Sequence, residues 1–154
     1  MAQISKIYVK EKAECVTMTI RKTIDFMKEY ADFVGYAVET IEQYAQAKDI
    51  LFSGPLMVCF HNMKLESLDV EVGWEISSEI TGEDDIEINR LPGTKIVTTI
   101  DQGAYEEQDP TLHSLFSFIN ESKMTMKGSI YYYYLNGTEQ KPQTYLTEMV
   151  IPVE

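Results

Sequence analysis

Apolar residues along this chain recur at two spacings, and the spacings alternate in a fixed order. The stretch ECVTMTIRKTI, residues 14–24, is rich in β-branched side chains that alternate with polar ones, which predicts a strand. The following DFMKEYADFVGYAVETIEQYAQAKD places Phe33, Ala37, Ile41, Tyr44 and Ala45 at helical intervals, with Glu39, Glu42, Gln43 and Gln46 on the opposite side. This is the pattern of an amphipathic helix, with its regular part after Asp32. GPLMVCFHN (54–62) and SLDVEVGWEIS (67–77) then read as two strands joined by a polar connection. The order is strand, helix, strand, strand.

The same order follows a second time. TKIVTTID (94–101) reads as a strand, and DPTLHSLFSFINE offers Asp109 as N-cap, Pro110 at the first helical position and Leu112, Leu115, Phe116 and Ile119 as a buried stripe. GSIYYYYLN (128–136) and YLTEMVIPV (145–153) complete the copy as strands. GPLMVCFHN lies over GSIYYYYLN, and LDVEVGWEI over YLTEMVIPV, with Glu71 matched to Glu148. Seventeen residues separate Gly54 from Glu71 and twenty separate Gly128 from Glu148, so one hairpin connection is three residues longer. The expected architecture is α+β: a duplicated βαββ unit, antiparallel, with the helices packed on one side. Repeat one covers about 14–77, the acidic TGEDDIEINRLPG (81–93) is the joint, and repeat two covers about 94–153. Residues 1–154 are expected to form a single domain, because neither repeat alone buries its sheet comfortably.

The strand pattern itself raises a question of chemistry. Val70, Val72, Trp74 and Ile76 alternate with Asp69, Glu71, Gly73 and Glu75, giving one dry face and one wet or lightly covered face. The last strand departs from this: Thr147, Met149, Ile151 and Val153 form one face, while Glu148 shares the other with Leu146 and Val150. A carboxylate on an apolar face costs free energy unless it is paired, hydrated or protonated. Three outcomes are open for Glu148: an edge-strand charge in solvent, an ion pair with a Lys or Arg from 94–101 or 20–22, or a counter-charge at the bottom of a ligand pocket. Four consecutive tyrosines bear on the choice. If their strand pairs with the last one, either Tyr131 with Tyr133 or Tyr132 with Tyr134 looks onto the face of Glu148. Aromatic faces attract cations by roughly 0.5 to 2 kcal/mol, so such a face would favour flat, lipophilic, positively charged molecules.

Composition narrows the classes. Lys and Arg number 13 against 25 Asp and Glu, a formal net charge of −12, and no basic cluster forms a phosphate-binding stripe, so direct nucleic-acid binding is excluded. The N-terminal MAQISKIYVKEKAEC has no apolar h-region and no later stretch has the roughly 18 apolar residues of a membrane span, so a cytoplasmic protein is expected. Cys15 and Cys59 lie 44 positions apart in apolar strand-like runs, and neither a disulfide nor a metal site is expected of them. His61 reads as a strand-end residue and His113 as a helix-surface residue. No cofactor is expected.

The ordered set DVEVGWEI (69–76), LPGTKIVTTIDQGAYEEQ (91–108), a helix with LFSFI, and YLTEMVIPV resembles the GyrI-like small-molecule-binding domain, which is also the effector-binding part of many AraC-type and MerR-type multidrug-responsive regulators. The resemblance covers most of 14–153. It implies a duplicated βαββ fold with pseudo-twofold symmetry and a ligand groove between the halves. The family's acidic residue in the last strand matches Glu148, and its Gly-Pro-Tyr element matches Gly103-Ala104-Tyr105, with Ala where Pro is usual. Trp74 stands at the glycine-aromatic position of the first copy, where its ring either walls the groove or fills the core. The ligand contacts implied are Glu148, Tyr105, Tyr131, Tyr133, Trp74 and Glu71. With strand one beginning near residue 14 and no basic recognition helix, a standalone ligand-binding domain is expected. Two functions follow from the resemblance: capture of lipophilic or cationic small molecules, with gyrase or a regulator as a possible protein partner, or hydrolysis of cyclopropanoid natural products with Glu148 and Tyr105 as the catalytic groups. The residues themselves show no nucleophile-base pair, metal cluster or phosphate loop, which favours binding.

Overall fold

The computed structural model of the chain describes residues 2–78, 80–137 and 139–154. In chain order its elements are β1 (Ala2–Gln3), β2 (Tyr8–Lys12), β3 (Cys15–Ile24), α1 (Phe26–Ala47), β4 (Leu56–Phe60), β5 (Leu68–Ile76), β6 (Glu87–Leu91), β7 (Thr94–Gln102), α2 (Asp109–Glu121), β8 (Ile130–Tyr134) and β9 (Leu146–Val153). The fold is mixed α+β with antiparallel strand pairing. Two compact units divide the chain: Glu14–Pro92 forms one, and Gly93–Glu154 with the chain up to Ala13 forms the other.

In the first unit the strands lie in the order β4-β5-β3-β6. Helix α1 covers the face of Val70, Val72, Trp74 and Ile76: the rings of Phe26 and Tyr30 meet Phe60 edge-on, and Phe60 stands opposite Val70. The helix is regular from Phe26, ahead of the Asp32 where its regular part was expected to begin, because a reciprocal cap fixes its first turn. The Asp25 side chain accepts from the Lys28 backbone N–H, and the Asp25 N–H donates to Glu29 Oε1 at 2.8 Å. Phe33, Ala37, Ile41 and Ala45 are buried as the stripe predicts. The acidic segment at 81–93 is more than a joint, since it supplies β6, which pairs with β3 from Glu87 to Leu91.

In the second unit β9 lies between β7 and β8, while β1 and β2 both pair with the other edge of β7. Helix α2 covers the face of Asp101 and Thr147. Thr111 donates to the buried carboxylate of Asp101, and Gln108 Nε2 donates to Thr147 Oγ1 at 2.8 Å. Gln108, whose side chain reaches the sheet, holds the N-cap position, so Asp109 is the first helical residue where the sequence suggested the cap. Leu112, Leu115 and Ile119 are buried, with Thr111 completing the stripe in place of the half-buried Phe116.

The internal repeat extends to individual hydrogen bonds. Asn62 accepts from the Asp69 N–H at 3.2 Å and donates to the Ser67 carbonyl at 3.1 Å. Asn136, its counterpart, accepts from the Leu146 N–H at 2.9 Å and donates to the Thr144 carbonyl at 2.8 Å. Each asparagine closes its hairpin by replacing backbone partners at the strand end. Replacing Asn136 by Ala is expected to lower stability by about 1 to 2 kcal/mol, read as a lower urea midpoint with an unchanged slope.

Candidate functional site

The register of β8, β9 and β7 decides which tyrosines share a face with Glu148. Tyr133 stands opposite Glu148 and Tyr131 opposite Val150, while on the other side of β9 Ile100 stands opposite Glu148 and Thr98 opposite Val150. Directly opposed residues in an antiparallel pair point to the same side. Tyr131, Tyr133, Glu148, Val150, Thr98 and Ile100 therefore occupy the face that α2 leaves uncovered. Tyr132 and Tyr134, opposite Met149 and Thr147, look to the helix side. The Tyr131 and Tyr133 rings lie nearly parallel, 17° apart with centroids at 6.3 Å, and Tyr133 is buried. The Lys12 ammonium lies 5.9 Å from the centre of the Tyr133 ring.

Glu148 is half-buried, and its Oε2 accepts from the buried Thr98 hydroxyl at 2.7 Å. Because β9 is flanked by strands on both sides, Glu148 is not an edge-strand charge. A hydroxyl orients a carboxylate without neutralising it.

Glu71 in the first unit repeats part of this arrangement. Thr19, diagonal to it as Thr98 is to Glu148, donates to Glu71 Oε2 at 2.5 Å. Two further side chains then distinguish this copy. Arg21 stands directly opposite Glu71 and holds the neighbouring Asp69 in a bidentate pair at 2.7 and 2.8 Å, which keeps the Asp69 carboxyl below its ordinary range. His61 Nε2 lies 2.7 Å from Glu71 Oε1. Burial works against the Glu71 charge, but the hydrogen bonds of His61 and Thr19 outweigh it, so its pKa also lies below the usual carboxylate range. In the second copy the positions of Arg21 and His61 are taken by Ile100 and Leu135.

His61 also faces Cys59, with Nδ1 at 4.0 Å from Sγ. Cys59, His61 and Glu71 thus hold a sulfur, a nitrogen and an oxygen donor within 4.8 Å of one another. Sequence reading treated the cysteine and histidine separately. Their spacing of two along a strand, with Glu71 opposite Cys59, was the available signal.

Trp74 and Tyr105 lie elsewhere. Trp74 is on the α1-covered face, opposite in direction to Glu71, and stacks on Phe52 at 4.2 Å and 2°, which is the core-filling alternative of the two left open for it. Tyr105 stacks on Tyr145 at 4.7 Å and meets Tyr134 at 5.0 Å. Tyr134 points away from the Glu148 face, so Tyr105 is not brought to Glu148. Burial among these rings raises the Tyr105 pKa above that of a free phenol.

A duplicated antiparallel α+β module with a neutral-bonded carboxylate beside paired tyrosines has the form of a small-molecule-binding domain. The model of the GyrI-like small molecule binding domain matches residues 5–154, and the chain belongs to that family. No curated protein sequence matches it. Among solved structures, the EcmrR C-terminal domain is similar with a TM-score of 0.84 at 21% identity, covering 97% of each chain. In the EcmrR–DNA complex the likeness has a TM-score of 0.83 at 20% identity, and this chain, 97% covered, spans 57% of the EcmrR chain. SAV2435 bound to tetraphenylphosphonium is similar with a TM-score of 0.67 at 14% identity, covering 97% of this chain and 94% of that one. A hydrolase from Listeria innocua gives 0.69 at 15% identity, covering 99% and 94%. At these identities the likenesses establish the fold. Among the described residues no helix is long and apolar enough to cross a membrane.

Proposed function

We propose that the chain binds lipophilic aromatic cations against the Glu148 face of its second unit, with Tyr131 and Tyr133 as aromatic walls and Glu148 as counter-charge. The observation that carries this reading is the contrast between the two copies. Glu71 has His61 on its oxygen and Arg21 across from it, whereas the same positions around Glu148 hold Leu135 and Ile100. Thr98 orients the Glu148 carboxylate and leaves its charge for a ligand. SAV2435, a structural neighbour, was solved with an aromatic cation bound, which fits the same chemistry. For hydrolysis the phenol beside Glu148 would have to be that of Tyr131 or Tyr133, since Tyr105 is directed to the other side of the sheet.

Titration with tetraphenylphosphonium and with neutral triphenylphosphine oxide tests the proposal. Saturable binding of the cation, at least tenfold tighter than the neutral compound, is expected, and equal affinities would refute a carboxylate-centred site. Turnover of a cyclopropane-containing substrate by the wild type would instead favour hydrolysis.

The neighbours of Glu148 give a further expectation. Tyr133→Leu should weaken the cation by about threefold to thirtyfold while changing the neutral probe less, as the loss of one cation–π contact requires. Lys12 places the protein's own ammonium on that ring. Lys12→Met should therefore tighten cation binding by about two- to fivefold, because it removes a competing contact with the buried Tyr133 ring worth about 0.5 to 1 kcal/mol. Isothermal calorimetry measures both.

A further inference from the structure

We infer that the first unit holds a zinc-type metal site at Cys59, His61 and Glu71, none of which is among the residues proposed to hold the organic cation. The three residues come together through strand geometry. Cys59 and His61 are two positions apart at the end of β4, and Cys59 stands directly opposite Glu71 on β5. Their donor atoms lie within 4.8 Å of one another, and the two closest approaches are 2.7 Å between His61 Nε2 and Glu71 Oε1 and 4.0 Å between His61 Nδ1 and Cys59 Sγ. Bonds of about 2.0 to 2.3 Å around a tetrahedral Zn2+ put ligand atoms roughly 3.3 to 3.8 Å apart. The two approaches use different nitrogens of the His61 ring, so metal binding requires the imidazole to turn until one nitrogen faces both Cys59 and Glu71.

The chemistry of the donors selects the ion. One thiolate, one imidazole and one carboxylate suit a borderline metal such as Zn2+ and do not suit Mg2+ or Ca2+, which require oxygen ligands. A thiolate and a carboxylate also cancel the two positive charges of the ion, which matters where Cys59 is fully buried and the other two side chains are only 18% and 12% exposed. Support for one of the ligands is already in place. Thr19 bonds the second oxygen of Glu71. Three protein ligands leave a fourth position for water or another small molecule. A net charge of −12 also raises the local concentration of cations around the chain.

Cobalt(II) is the probe, because a cysteine-bound Co2+ shows a thiolate-to-metal charge-transfer band in the near ultraviolet and intense visible bands when tetrahedral. The full chain, stripped with a chelator, is titrated with Co2+ and then with Zn2+. One Co2+ per chain, a charge-transfer band and its loss on adding Zn2+ are expected. The band should persist in Cys15→Ser, disappear in Cys59→Ser, and require at least tenfold more Co2+ in His61→Gln. Because Cys59 is buried and its replacement can disturb the fold, the half-buried His61 provides the deciding variant. No charge-transfer band up to millimolar Co2+, or a band with unchanged affinity in His61→Gln, overturns the assignment. Tetraphenylphosphonium binding by His61→Gln, whose replaced residue is not among those proposed to hold the cation, distinguishes loss of this site from loss of the other.

Discussion

Replacing Glu148 by Gln is expected to weaken binding of tetraphenylphosphonium by about tenfold to a hundredfold, while triphenylphosphine oxide changes by less than about threefold. Glutamine keeps the shape of the side chain and an oxygen that can accept from Thr98, so the variant removes a charge and little else. A unit charge about 5 Å from a cation in a medium of effective dielectric constant near 20 contributes about 3 kcal/mol. Part of this is offset because the carboxylate and the ligand both lose water on binding, which leaves roughly 1.4 to 2.8 kcal/mol, or one to two decades in affinity. The half-buried setting of Glu148 limits screening, so the difference between variant and wild type should survive at about 0.15 M salt. A variant that lost both probes equally would point to a damaged face. A variant that lost neither would remove Glu148 from the site.

How much of this arrangement the sequence disclosed depended on whether neighbouring residues differed in kind. The long strands and both helices were legible because apolar residues alternate at two or at three to four positions, and the copy-to-copy match placed Glu71 over Glu148 before any coordinates. The short strands β1, β2 and β6 were not. Tyr-Val-Lys-Glu-Lys in β2 is exposed along most of its length, and such charged edge strands carry a weak hydrophobic period because one of their sides has no partner to bury against. The four tyrosines of β8 gave no indication of face, since identical residues on both sides of a strand have no pattern; only the register with β9 assigns Tyr131 and Tyr133 to Glu148. The Cys59–His61–Glu71 cluster was hidden for a different reason. Metal spacings are usually sought along helices and turns, whereas this one needs the two-residue period of β4 combined with a cross-strand partner. Trp74 shows the opposite limit: its position in the alternation placed it with Val72 and Ile76, but the groove-wall and core-filling readings both stayed open until the ring was found stacked on Phe52.

Gly73→Ala is expected to be the most damaging single substitution among those considered, with a loss of about 3 kcal/mol or more. For a chain of this size that corresponds to a melting temperature lower by roughly 6 to 12 °C. A Cβ built on Gly73 would lie 2.7 Å from the Thr19 Cα and still closer to the Met18 carbonyl oxygen. Both are backbone atoms of β3, which is held between β5 and β6 and has no free side toward which to move. The matched position in the second copy is Val150, so the close approach belongs to the first unit alone. It has a consequence for the site, because Thr19 stands opposite Gly73 and donates to Glu71. A methyl group that pushed β3 away from β5 would pull that hydroxyl off the carboxylate. Gly73→Ala should therefore weaken Co2+ binding at Cys59, His61 and Glu71 under conditions where the variant is still folded by circular dichroism. A variant with the wild-type melting temperature would show that the two strands do not approach this closely, and the register that sets Thr19 on Glu71 would fail with it.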